Sequence, residues 1–141
     1  MPVITIRSPE ETPVIVPRDH MPEGPLRDKF SDGDLNNEVR MYHPGGPDTI
    51  QMIEMKVHPN EGPYPHAHAE DEIIYVLEGE LHFGRRVLTT GCSVFIPGYT
   101  LYSFRAGPNG ARFLNTRPRA DATYITKEEL VAMKKEKSSS A

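Results

Sequence analysis

The sequence predicts an all-β sandwich or barrel followed by one C-terminal helix. Three observations carry this. From Glu61 onward the chain is a succession of short apolar runs split by glycines, the spacing of an all-β domain. Eleven of the fourteen prolines fall before His66, which leaves the N-terminal part poor in regular helix. Thr126-Lys127-Glu128-Glu129 matches a capping box, and Leu130, Val131 and Met133 follow it as a narrow apolar stripe, the start of a short helix.

The elements follow in order. Val3–Ile6 and Val14–Val16 are apolar runs between proline breaks and read as short edge strands or arms. Pro22 to Asp34, with Gly24 and Gly33, reads as a polar loop. Glu38–His43 is a strand that ends at the turn Pro44-Gly45-Gly46-Pro47. Thr49–His58 alternates apolar and charged residues at its end and reads as a long half-buried strand. His66–His68 and Glu72–Leu77 come next, with Glu78-Gly79 as a tight turn, then Leu81–Phe83, Arg86–Leu88, Cys92–Ile96, Leu101–Arg105 and Ala111–Thr116. Ser138–Ala141 reads as a disordered tail. Within one domain, residues 1–60 form an arm and the first strands, 61–118 the core, and 119–141 the helix and tail. Phe83, Phe95, Phe104 and Phe113 are expected to fill the interior.

The bulk numbers exclude several partners. A length of 141 residues suits one domain with a proper core. A net charge of −4 without a basic patch argues against nucleic acid. No window approaches the roughly 18 apolar residues of a membrane span, and no secretory signal is visible at the start. One cysteine, Cys92, forms no internal disulfide, which fits a reducing cytoplasm.

The chemistry concentrates in Pro65-His66-Ala67-His68-Ala69-Glu70-Asp71-Glu72. Histidines at i and i+2 share a strand face, about 6.6 Å apart. A carboxylate four residues on can return to the same point through a turn. Two imidazoles and a carboxylate form a facial set for a divalent metal and leave positions open for water or substrate. Glu70 and Asp71 are rival carboxylates.

With its flanks the run is Gly62-x3-His66-x-His68-x3-Glu72-x6-Gly79. It resembles the first signature of the cupin superfamily, with the initial glycine two residues nearer than usual. Asp71 to Leu81 resembles the usual continuation. The second signature begins as Gly91-x5-Pro97 and then departs: its second glycine is displaced, and Tyr102 stands at the histidine position. The resemblance covers Gly62 to Arg105 and implies a small single-domain cupin, a jelly-roll β-barrel with a metal in its mouth.

In that register the ligands are His66, His68 and Glu72. The metal would be Fe, Mn, Ni or Zn. Tyr102 is either a fourth ligand or a catalytic acid or base. Tyr64 and Arg105 are possible pocket residues, and Arg40 and Arg105 are cations able to meet an anionic substrate. His20, His43, His58 and His82 lack a partner pattern and read as surface or core histidines. The resemblance implies a metal-dependent small-molecule enzyme, dioxygenase-like by family frequency. A lyase or isomerase using Tyr102 is the first alternative, and a non-catalytic sugar- or effector-binding protein the second. Single-domain cupins often pair, so a homodimer is expected, with the N-terminal arm crossing to the partner.

Overall fold

The computed structural model describes residues 2–139. Its centre is a six-stranded antiparallel sheet built from β1 (Glu38–His43), β2 (Gln51–Val57), β4 (Glu72–Phe83), β5 (Arg86–Leu88), β6 (Ser93–Ile96) and β7 (Arg105–Arg117). The order is β1-β2-β7-β4-β5, and β6 also pairs with β4. A second ladder joins β3 (His66–Ala67) to β8 (Ile125–Thr126). The arrangement is a jelly roll whose sheet does not close into a barrel among the described residues.

Period-2 alternation on β4 places Glu72, Ile74 and Val76 inside and Ile73 and Tyr75 outside. Phe113, Asn115 and Arg117 on β7 face the same interior. Val57, Ile74, Val76, Leu81, Phe104 and Phe113 form its apolar centre.

Glu78-Gly79 is not a turn. β4 runs straight through it, with register breaks between Val76 and Glu78 and between Gly79 and Leu81. Gly79 has φ +73, and a Cβ there would lie 2.2 Å from the Gly110 carbonyl oxygen. The glycine therefore makes a bulge that lets two strands touch. The bulge also shifts the buried set from even residues to Leu81.

Other expectations change in similar ways. Val3–Ile6 forms no strand and is exposed, and Val14–Val16 reduces to one bridge, Ile15 to Val39. The Pro22–Asp34 stretch holds one single-turn helix and the start of another. α2 (Pro25–Asp28) starts on its proline, as does α1 (Pro17–His20), and α3 (Asp32–Asn36) starts on the capping box of Ser31 and Asp34. Proline at a helix start lacks only an N–H that would be unpaired anyway.

Leu101–Arg105 is no strand. Tyr102 alone bridges, exchanging both backbone bonds with His66. Phe95 lies outside, 59 % exposed, because the alternation of β6 points Ile96 inward instead. α4 (Lys127–Ser139) begins at the Thr126–Glu129 capping box. It buries only Leu130 and exposes Val131 and Met133. Ser138 and Ser139 belong to this helix; Ser140 and Ala141 lie outside the described residues.

Candidate functional site

His66 opens the two-residue strand β3 and His68 follows it, and their rings stand 4.9 Å apart, edge to face. Each is fixed from behind. His66 Nδ1–H donates to the Tyr64 carbonyl at 2.8 Å, and His68 Nδ1–H donates to the Thr123 carbonyl at 2.6 Å. A carbonyl cannot donate, so Nδ1 carries the proton and the neutral ring keeps its lone pair on Nε2. Burial pushes the His66 pKa down to about 4, and it lowers that of His68 too, with Arg117 adding to the effect. Both rings are neutral at physiological pH.

Glu72 opens β4 and is 2 % exposed. Its Oε2 accepts from Asn115 Nδ2 at 3.0 Å and from Arg117 Nε at 3.0 Å, and the Arg117 NH2 nitrogen lies 2.9 Å away. Burial would raise its pKa, but Arg117, His68, Tyr102 and Asn115 outweigh that and lower it. Its Oε1 has no hydrogen-bond partner among the described residues.

The Tyr102 ring lies 4.5 Å from that of His66. Its hydroxyl points toward the Glu72 carboxylate as a hydrogen-bond donor, which shifts both pKa values, although the contact is too loose to satisfy Oε1 in full. Burial first, then the Glu72 charge, raise the Tyr102 pKa well above the usual phenol value. In this environment the phenol keeps its proton.

The rival carboxylates have structural tasks. Asp71 accepts from the Gly98 N–H at 2.8 Å, and Glu70 pairs with Arg119 at 3.3 Å. Gly98 is needed because a Cβ would meet the Ala69 carbonyl oxygen at 2.3 Å. Tyr64 is 57 % exposed and Arg105 is exposed, and both border an open depression apart from the histidines. Neither side chain belongs to the site. Arg40 is held on the sheet by the Thr12 carbonyl and Glu54, away from the cavity beside the histidines.

A cavity of about 220 Å³ opens beside the histidines. Besides His66, His68 and Tyr102, it is lined by residues the sequence reading missed: Asp34, Asn37, Asn115, Arg117 and Tyr124. Tyr124 stacks on His66 at 4.4 Å and 7°, and its hydroxyl donates to Asp34 at 3.1 Å. Burial raises the Asp34 pKa despite hydrogen bonds from Ser31 and Tyr124. Asn115 and Arg117 could have been found, since they continue the inward period-2 set of Phe113, where polar residues are unexpected. Asp34, Asn37 and Tyr124 lie far from the motif and give no comparable signal.

His66 and His68 stand side by side, and the Glu72 charge reaches both rings. Among the described residues, however, no group of three or more His, Cys, Asp and Glu forms a ready metal cluster, and half of the Glu72 carboxylate is taken by Arg117. The donor chemistry itself fits a divalent ion: two neutral imidazoles held through Nδ1 and one unpartnered buried carboxylate oxygen.

Comparison with known proteins agrees with this fold. Residues 53–116 match the Cupin_2 family model, described as Cupin domain, and the chain carries a small cupin domain. The polyketide cyclase RemF from Streptomyces resistomycificus is similar with a TM-score of 0.67 and 23% identity, over 89% of this chain and 86% of its own. An RmlC-like cupin from Shewanella frigidimarina gives 0.58 and 19%, over 90% and 96%. A cupin-2 domain, Rru_A2000 from Rhodospirillum rubrum, gives 0.60 and 18%, over 92% and 84%. No curated protein matches the chain. Among the described residues no helix is long and apolar enough to cross a membrane.

Proposed function

We propose that the chain is a metal-dependent enzyme acting on a small organic molecule by acid–base chemistry, an isomerisation or an elimination. One observation carries this reading: the neutral imidazoles of His66 and His68 line a cavity, and the buried Glu72, near enough for its charge to act on both rings, keeps an unpartnered Oε1. His66 Nε2, His68 Nε2 and Glu72 Oε1 would hold the ion. When bound, a divalent ion supplies Lewis acidity that polarises a substrate oxygen.

The remaining chemistry belongs to the chain. Arg117 keeps Glu72 ionised and in place. Tyr102, protonated beside that carboxylate, is the proton donor to a substrate atom in the cavity. Phe104, Phe113 and Ile74 make part of the wall apolar. The dioxygenase reading rests on family frequency, and no residue here favours it. The exchange of the expected histidine for Tyr102 favours acid–base work.

The test is metal analysis after reconstitution with Fe²⁺, Mn²⁺, Ni²⁺ and Zn²⁺ in turn, on the parent, His66→Ala and Glu72→Ala. Stoichiometric metal in the parent and its loss in both variants is the expected result. A parent that takes up none of the four ions ends the reading. Tyr102→Phe should keep the metal and lose turnover of small carbonyl and hydroxy compounds. Substrate-dependent oxygen uptake that survives Tyr102→Phe would restore the dioxygenase reading.

A further inference from the structure

Two amide side chains in the cavity have polar atoms that the proposed chemistry does not use. Asn115 on β7 is 4% exposed, and Asn37, just before β1, is 5% exposed. Both line the cavity. Asn115 Nδ2 donates to Glu72 Oε2. An ionised carboxylate cannot donate, so the orientation of this amide is fixed by chemistry. Its Oδ1 then has no partner among the described residues. Asn37 Nδ2 lies 3.4 Å from the weakly accepting Met55 sulfur, and its Oδ1 is likewise without a partner. A buried polar atom without a partner costs about 1–3 kcal/mol, and folded proteins leave few of them.

The donors around the cavity are largely committed. Arg117 turns Nε and NH2 to Glu72 and NH1 to the Asp121 carbonyl. The Tyr124 hydroxyl serves Asp34, and both imidazole N–H groups serve backbone carbonyls. Even with a metal on His66, His68 and Glu72, two amide oxygens still lack donors. An anionic ligand would meet Asp34 in the cavity wall, with the Tyr102 hydroxyl as a neutral donor and the Arg117 charge already spent on Glu72.

Size and walls narrow the ligand further. A volume of about 220 Å³ corresponds to roughly seven waters at about 30 Å³ each. It falls below the roughly 300 Å³ at which drug-sized pockets begin. Phe30, Tyr102, Phe104, Phe113 and Tyr124 supply aromatic walls.

We infer that the cavity selects a neutral molecule about the size of a single ring that carries a hydroxyl or amino donor, received by Asn115 and Asn37, and that it rejects carboxylates. This deepens the enzyme reading and rests on it for taking the cavity as the substrate site. The specificity is carried by side chains outside the metal set, so it is testable without metal.

The experiment is calorimetric titration of the EDTA-treated full chain with phenol, toluene and benzoate. Phenol should bind, and benzoate should bind at least about tenfold more weakly. Asn115→Leu should lower the phenol-to-toluene affinity ratio about tenfold, the effect of about 1.4 kcal/mol for one buried hydrogen bond. Asn37→Leu reads the same ratio and decides alone if circular dichroism shows Asn115→Leu unfolded. The proposal is overturned by no phenol binding at millimolar concentration, by benzoate binding as tightly as phenol, or by a ratio unchanged in every folded variant. Failure of the metal reading would appear separately, as absence of metal uptake, and would leave these affinities untouched.

Discussion

Burial of His66 makes the fold acid-sensitive within a defined window. The unfolded imidazole titrates near its ordinary value of 6.5, whereas the folded one titrates at about 4. Above pH 6.5 neither state binds the proton and the residue has no effect. As pH falls from 6.5 to about 4, the unfolded chain takes up a proton that the folded chain refuses, so stability is lost in that interval. Each unit is worth about 1.36 kcal/mol, and the whole interval costs about 3 kcal/mol. At pH 4.5 the loss relative to pH 7.5 is about 2.5 kcal/mol from this group alone.

The assay is urea unfolding of EDTA-treated protein at several values between pH 7.5 and 4.5, on the parent and on His66→Gln. The parent should lose stability through the window, and the variant should lose about 2.5 kcal/mol less. The lowered pKa of His68 adds to the fall in both proteins, and the raised pKa of Asp34 offsets part of it in both, so the difference reports His66 together with its coupling to Asp34 and His68. The carboxylate of Glu72, with its lowered pKa, acts only below about pH 4.5. Equal slopes for parent and variant would refute the assignment of His66 as a buried neutral ring.

Further outcomes follow from other contacts. Arg117→Leu leaves the Glu72 charge buried and unpaired, so the metal-free protein should lose about 3–5 kcal/mol in urea unfolding; a loss below about 1 kcal/mol would mean the pair is not formed. Gly62→Ala and Gly98→Ala place a Cβ 2.0 Å and 2.3 Å from backbone oxygens and should cost more than about 2 kcal/mol. Gly84→Ala, with φ +57 and open space, should cost only about 1 kcal/mol. Val3, Ile4 and Ile6 are 79%, 89% and 81% exposed, which favours the arm crossing to a second copy; a monomer in light scattering would sink that expectation.

The part of the fold legible in the sequence was the part governed by local rules. Glu38–His43 is a strand to the residue because a clean polar start and a Pro-Gly turn bound it. The Thr126 capping box was readable because it is a four-residue pattern. Gly79 shows the limit: its positive φ marks a turn or a bulge equally, and only the approach of Gly110 from a distant strand decides. The site divides in the same way. His66, His68 and Glu72 lie within seven residues of one chain segment, so spacing exposed them. Asp34 and Tyr124 are ninety residues apart and meet only through the fold.

Arg117, Glu72 and Tyr102 form a causal sequence that bears on what replaced the expected histidine. The guanidinium keeps Glu72 ionised against a burial that would otherwise protonate it. The ionised carboxylate in turn helps burial to keep the Tyr102 phenol protonated. A histidine at this position would offer a lone pair and so complete a coordination set. A phenol held in its acid form offers a proton instead. The same arginine takes up half of the carboxylate that a metal would use. On the proposed reading the site would give up one ligand and share another, and both changes would move it from enclosing an ion toward leaving room for a substrate and a proton beside it.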